Sequence, residues 1–188
     1  MSLRNYKSFV EDVWSHFPAL KQVKSTDITN YNYFWTLQQH IDVGYLNFET
    51  NRKFLYRLSV LLENHAVRNH VPLLATFETD KRYKYVGNRY REFLDKIPKA
   101  WIIGDFKNQF LAPQPPSNAE VISCDGTNIA NMWIVLTTRE TGPFGLVAEN
   151  IGDGQFRGFF SISPSVIGKV VQSISEQLKV KIDFSKKN

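Results

Sequence analysis

Apolar residues recur at helical spacing in four parts of the chain. In YKSFVEDVWSHF, Phe9, Val13 and Phe17 fall on one face with Trp14 beside them, until Pro18 interrupts the pattern. In FLYRLSVLLENHAVRN, Leu55, Leu58, Leu62 and Ala66 form a single stripe, which predicts an amphipathic helix over 54–69. In YVGNRYREFLDKI, Val86, Tyr90, Phe93, Leu94 and Ile97 keep the same period, and Pro98 marks its end. The last is SPSVIGKVVQSISEQLKV. Here Ser163 reads as the N-cap, Pro164 as the first helical residue, and Val166, Ile167, Val170, Val171, Ile174 and Leu178 as the buried face.

Between the helices lie short apolar runs bounded by turn residues, which read as strands: VPLLATFE, AWIIGDF, AEVISCD, MWIVLTT, FGLVAEN and GQFRGFFSIS. The last two are joined through Gly152-Asp153-Gly154, a hairpin turn by composition, because glycine tolerates positive φ. KNQFLAPQPPSN reads as a proline-rich surface loop, and TDITNYNYFWTLQQHI is aromatic and fits either helix or loop. Strand, helix, strand in short compass implies a right-handed parallel unit, followed by an antiparallel run and a closing helix. The expected fold is α+β. It has a single mixed β-sheet of about four to six strands, with a strand–helix–strand unit, an antiparallel hairpin run and flanking helices. Residues 1–52 read as an N-terminal helical and aromatic extension docked on the main body, 53–182 as that body, and 183–188 as a basic tail.

Composition narrows the class. The chain has 188 residues, 43% hydrophobic and 14% aromatic, enough for a sizeable core. No apolar run reaches membrane-spanning length, and the N-terminus lacks the order of a signal peptide. Cys124 is the only cysteine, so no intrachain disulfide can form and a reducing, cytoplasmic setting is expected. The net charge of +5 permits a nucleic-acid partner without requiring one.

Catalytic signatures are sparse. The GxG at Gly152–Gly154 precedes a strand pattern rather than a helix, so it does not read as a phosphate cradle. His16, His40, His65 and His70 lack metal-ligand spacing, and Cys124 has no motif that would supply a base or an oxyanion donor. Carboxylates at strand ends draw more notice: Glu78 and Asp105 close the two strands of the parallel unit, and Glu149 closes a later one. Ligands of open sheets gather at carboxyl ends of parallel strands, although such acids also serve as ion-pair partners for Arg82 and Arg89. The stretch KRYKYVGNRYREF carries five basic residues and three tyrosines between Lys81 and Arg91. Its basic residues are divided between a loop and a helix whose Tyr90 and Phe93 turn inward, which argues against a nucleic-acid-reading helix.

Taken in order, LSVLLENHAV, LLATFETDKRYKYVGNRYREF, AWIIGDF, MWIVLTTRETGPFGLVAEN and FRGFFSISPSVIGKVV resemble the DICT sensory domain, from about Phe54 to Leu178. The likeness departs from the family pattern at FFSISPSVI and at Glu78. The resemblance implies a bacterial signalling input module, found beside diguanylate cyclases and two-component systems, with a suggested part in light-responsive signalling. On that basis the expected function is non-enzymatic sensing, passed to an output module by a conformational or interaction change. Phe77, Glu78, Arg82, Tyr83, Arg89, Asp105, Trp133 and Glu149 are the candidate ligand-lining residues. Arg82 or Arg89 would clamp an anion, and Trp133 or Tyr83 would offer a stacking surface. No metal, cofactor or membrane partner is expected. A protein-interaction or dimerisation module without a small ligand is the alternative, and nucleic-acid binding ranks below it.

Overall fold

The computed structural model describes residues 7–26, 35–77, 89–106 and 117–185. The helices are α1 (Phe9–His16), α2 (Pro18–Lys21), α3 (Leu37–Val43), α4 (Arg52–Asn69), α5 (89–94) and α6 (Pro164–Leu178). The strands are β1 (Tyr45–Asn51), β2 (Leu73–Phe77), β3 (Ala100–Gly104), β4 (Ala119–Ser123), β5 (Met132–Arg139), β6 (Gly142–Gly152) and β7 (Gln155–Ser161). They form one mixed sheet in the order β1-β7-β6-β5-β2-β3-β4. This is an α+β fold with a helical layer on each face of the sheet.

The layers follow from alternation along the strands. Leu46 and Phe48 of β1, Leu73 and Ala75 of β2, and Phe156 and Phe160 of β7 point to one side. There they meet Leu55, Leu58, Leu62 and Ala66 of α4 and Tyr90, Phe93 and Leu94 of α5. Leu74, Ile134, Val147 and Phe159 point to the other side, against Phe9, Val10, Val13 and Trp14 of α1 and Val166, Ile167, Val170 and Ile174 of α6. The buried faces of α4 and α6 are the stripes expected from their spacing. Ser163 caps α6, its hydroxyl accepting from the Val166 amide, with Pro164 in the first turn. Asp153 and Gly154 both take positive φ (54° and 72°), the backbone a two-residue hairpin requires. Cys124 is fully buried.

Two strands differ from the expected arrangement, and the first of them brings the sheet to seven. Tyr45–Asn51, within the segment read as a helical extension, is an edge strand paired antiparallel with β7 along its whole length. Its alternation was hidden because Asn51 is at once the end of β1 and the N-cap of α4, accepting from the Phe54 amide, so no turn residue separates them. Ala119–Ser123 was placed in the antiparallel run; it instead lies outside β3 and parallel to it, so the parallel unit has three strands. The hairpin run is antiparallel as expected.

The parallel and antiparallel halves meet at β2 and β5, whose ladder covers only Leu74↔Leu136 and Ala75↔Val135. Threonine hydroxyls continue it at both ends. Thr76 Oγ1 donates to the Met132 carbonyl (2.9 Å) and accepts from the Ile134 amide (2.8 Å). Thr137 Oγ1 donates to the Pro72 carbonyl (2.9 Å). All of these groups are buried, so each bond satisfies a backbone group that water cannot reach. Thr76→Val keeps the shape and removes the bridge. It should cost about 1–3 kcal/mol for each backbone group left unsatisfied, read as a lower urea midpoint, and Thr76→Ser should restore most of the loss.

Candidate functional site

At the carboxyl end of β2, on the α4 face, the chain gathers aromatic and cationic groups. Phe77 closes β2 and meets the Tyr90 ring edge-on, with centroids 5.3 Å apart. Trp133 of β5 packs edge-on against Phe156 (5.6 Å), and its Nε1 donates to Ser59 Oγ on α4 (2.9 Å). Ser59 in turn donates to the Leu55 carbonyl one turn back (2.7 Å). The Arg52 guanidinium lies over the Phe156 ring, and that of Arg89 lies over the exposed Tyr56 and the buried Tyr90.

The charge at the centre of this group belongs to Glu63, which sits on the apolar face of α4 and is 3% exposed. Arg89 grips it with both terminal nitrogens, and Tyr90 donates its hydroxyl to Glu63 Oε1 (2.7 Å). Burial pushes the Glu63 carboxyl above its ordinary value, with Arg89 and Tyr90 pulling the other way. Burial works against the charge on Arg89, but Glu63, together with Tyr90 and Tyr56, more than offsets it and raises the guanidinium above its ordinary value. This pair anchors α5 to α4, and in doing so it occupies the guanidinium expected to clamp an anion.

Glu149 lies on the opposite face. Its carboxylate accepts from Ser8 Oγ (2.9 Å), from the Phe9 amide (3.0 Å) and from Arg157 Nε (3.2 Å). Ser8 is the N-cap of α1, so the acid lies where the helix dipole and its unpaired amides favour negative charge. Arg157 also reaches Glu11 (3.3 Å) and lies over the Trp14 ring. The result is a clasp holding α1 on β6 and β7. A second polar chain continues from it: Trp14 Nε1 donates to Tyr45 OH (3.0 Å), which donates to Asn47 Oδ1 (2.7 Å). Asn47 Nδ2 then donates to the Leu20 and Val23 carbonyls. Burial pushes the Tyr45 phenol up to about 12, and the bond from Trp14 opposes it.

The expected lining residues therefore divide. Phe77, Arg89 and Trp133 share one face, Glu149 serves the other, and Asp105 is buried just beyond the end of β3. Glu78, Arg82 and Tyr83 lie outside the described residues. Sequence reasoning missed Glu63, Ser59 and Arg157. Glu63 had a signal, since it is an acid within the Leu55–Leu58–Leu62–Ala66 stripe and needs a buried partner. Among the described residues, no three of His, Cys, Asp and Glu gather as a metal ion would require. His65 bonds to the Thr138 carbonyl and His70 to the Lys96 carbonyl. No described helix is long and apolar enough to cross a membrane.

No family model matches the chain, and no curated protein matches it. Among solved structures it is similar to polyphosphate kinase from Porphyromonas gingivalis, with a TM-score of 0.47 and 14% identity. The alignment covers 95% of this chain and 29% of that one, so the chain spans less than a third of that protein's length. Likeness at this level carries no argument about activity.

Glu63→Ala should cost about 3–5 kcal/mol, because Arg89 and Tyr90 lose a buried acceptor. The folded carboxyl titrates above the unfolded one. Its contribution is therefore complete below the unfolded pKa and is lost as pH rises through the folded value. The stability of the parent chain relative to Glu63→Gln should accordingly fall with rising pH across that window, read by urea midpoints. On the other face, Glu149→Ala should raise amide exchange in α1 roughly tenfold or more while leaving α4 protected.

Proposed function

We propose that the chain is a non-enzymatic regulatory input module of the DICT-like kind, in which a signal at the sheet alters how the N-terminal helices sit on it. The observation that carries this reading is the pair of polar chains tying residues 8–23 to the sheet. Ser8, Glu149, Arg157 and Glu11 form one, and Trp14, Tyr45, Asn47 and the Leu20 and Val23 carbonyls form the other. Directional bonds of this kind hold one arrangement and not its neighbours, so a small shift of β6 or β7 is passed to α1. Of the buried acids, Glu63 and Glu149 are engaged in positioning helices, a structural rather than an acid–base role.

The ligand-facing part of the proposal is the Phe77, Tyr56, Trp133 and Arg52 group at the end of β2. It offers flat apolar surface beside positive charge, a match for a planar or anionic small molecule. Binding there would act by population shift, with the signal favouring one setting of the N-terminal helices. The sequence resemblance supplies the wider setting, an input domain read by a signalling output.

Native mass spectrometry of the purified chain, with a denatured control and an absorbance spectrum, tests this. A stoichiometric small molecule should be retained, and removing it should change exchange in α1. A clean mass with unchanged exchange after mild stripping would overturn the ligand-sensing reading. A clean mass at twice the chain weight would favour the interaction module instead.

A further inference from the structure

The single fully buried side chain of α3 is a titratable one. His40 is 1% exposed, while the other residues of this short helix are partly or wholly exposed. Its ring lies edge-on to Trp35 (centroids 5.4 Å apart) and tilted against Phe160 of β7 (5.3 Å). Nδ1 is 2.8 Å from the Thr36 carbonyl, which makes Nδ1 the protonated nitrogen and the donor. Nε2 is buried with no hydrogen-bond partner among the described residues. A proton arriving at Nε2 would therefore create a buried N–H without an acceptor and a buried charge without a counter-ion.

The described surroundings offer that charge no relief. On α3 itself, Asp42 is exposed and accepts from Gln38. β1 presents Leu46 and Phe48 to this face, and β7 presents Phe156 and Phe160. On α4, Glu63 is tied to Arg89 and Tyr90, His65 to the Thr138 carbonyl, and Arg52 lies over Phe156. No charged group of these elements acts on the imidazole. Burial holds it below its ordinary value, with the Thr36 carbonyl opposing. The rest of the docking is modest. Leu37 and Ile41 are only partly buried, the first turn is held by the Thr36–Gln39 capping box, and the helix stops at Gly44, whose φ is 83°.

We propose that His40 makes α3 an acid-released element: protonation of the ring undocks α3 from Phe160 and β1 while α4 and the sheet stay folded. The neutral ring is the form the fold accepts, so docking is complete above the unfolded histidine pKa and is lost as pH falls through the folded one. This device goes beyond the sensory reading, since it needs neither a ligand nor an output domain. The strands that α3 would uncover are those whose other face carries Tyr45, Asn47 and Arg157, the groups that tie down α1 and the segment after it. Release on one face would thus loosen the support of the other.

The test is hydrogen exchange on the full chain from pH 7.5 to 5.0, corrected for the intrinsic pH dependence, with an NMR titration of the His40 ring over the same range. Protection of α3 should fall roughly tenfold or more while that of α4 is kept, and the His40 resonance should titrate in step with the loss. In His40→Phe, which keeps an aromatic ring between Trp35 and Phe160, α3 should stay protected throughout. Loss of protection equal in the parent and His40→Phe would overturn the proposal. So would a His40 ring that titrates while α3 remains protected, a result that needs only the parent chain should the variant fail to fold.

Discussion

The hydroxyl of Thr76 extends the short ladder that joins the two halves of the sheet. β2, β3 and β4 form a parallel unit, and β5, β6, β7 and β1 an antiparallel one. Their direct ladder is two residue pairs long. With Thr76 bonding both Met132 and Ile134, and Thr137 bonding Pro72, the buried backbone at this junction keeps its partners over a longer stretch than the ladder alone provides. Everything beyond depends on that continuity. Trp133 lies between the two residues bridged by Thr76, so the junction sets where its indole meets Ser59 of α4. α4 in turn carries Glu63, the acid that fixes α5.

Burial on both faces shapes the course of the chain. A mixed sheet apolar on each side needs helices on each side. α4 and α5 cover one face and α6 covers much of the other. The N-terminal region supplies the remainder: α1 packs beside α6, the Thr26 amide bonds the Asn47 carbonyl of β1, and α3 packs on the α4 side. Phe184 returns over Trp101 on the α1 side, and Ile182 packs against the same cluster. The edge at β1 is thereby partly sealed, which limits its use as a template for another strand.

Polar groups buried in such a fold are conspicuous because each carries a desolvation cost. Glu63 and Glu149 offset theirs with cations and hydrogen-bond donors, and each ties a helix to its neighbour. His40 meets that cost only while it is neutral. The structure thus holds its helices by two kinds of polar contact, acids bonded to cations and donors and a ring whose docking depends on its proton.

The periodicity of the chain was sufficient for the inward faces of α4 and α6, the Ser163 cap, the Gly152–Gly154 hairpin and the inward turn of Tyr90, because each depends on residues a few positions apart. The same holds for the α+β class and the strand–helix–strand unit. What local pattern could not reach was decided by partners distant in sequence. β1 became a strand because β7 offered it a ladder, and β4 ran parallel because the place beside β3 was open to it. Glu149 looked like a strand-end acid facing a ligand, but its partners include Ser8, 141 residues away. Arg89 looked free to bind an anion, but its partner was the one acid inside the apolar stripe of α4. Spacing along a chain reports which face a side chain takes; only the packed sheet decides what stands opposite that face.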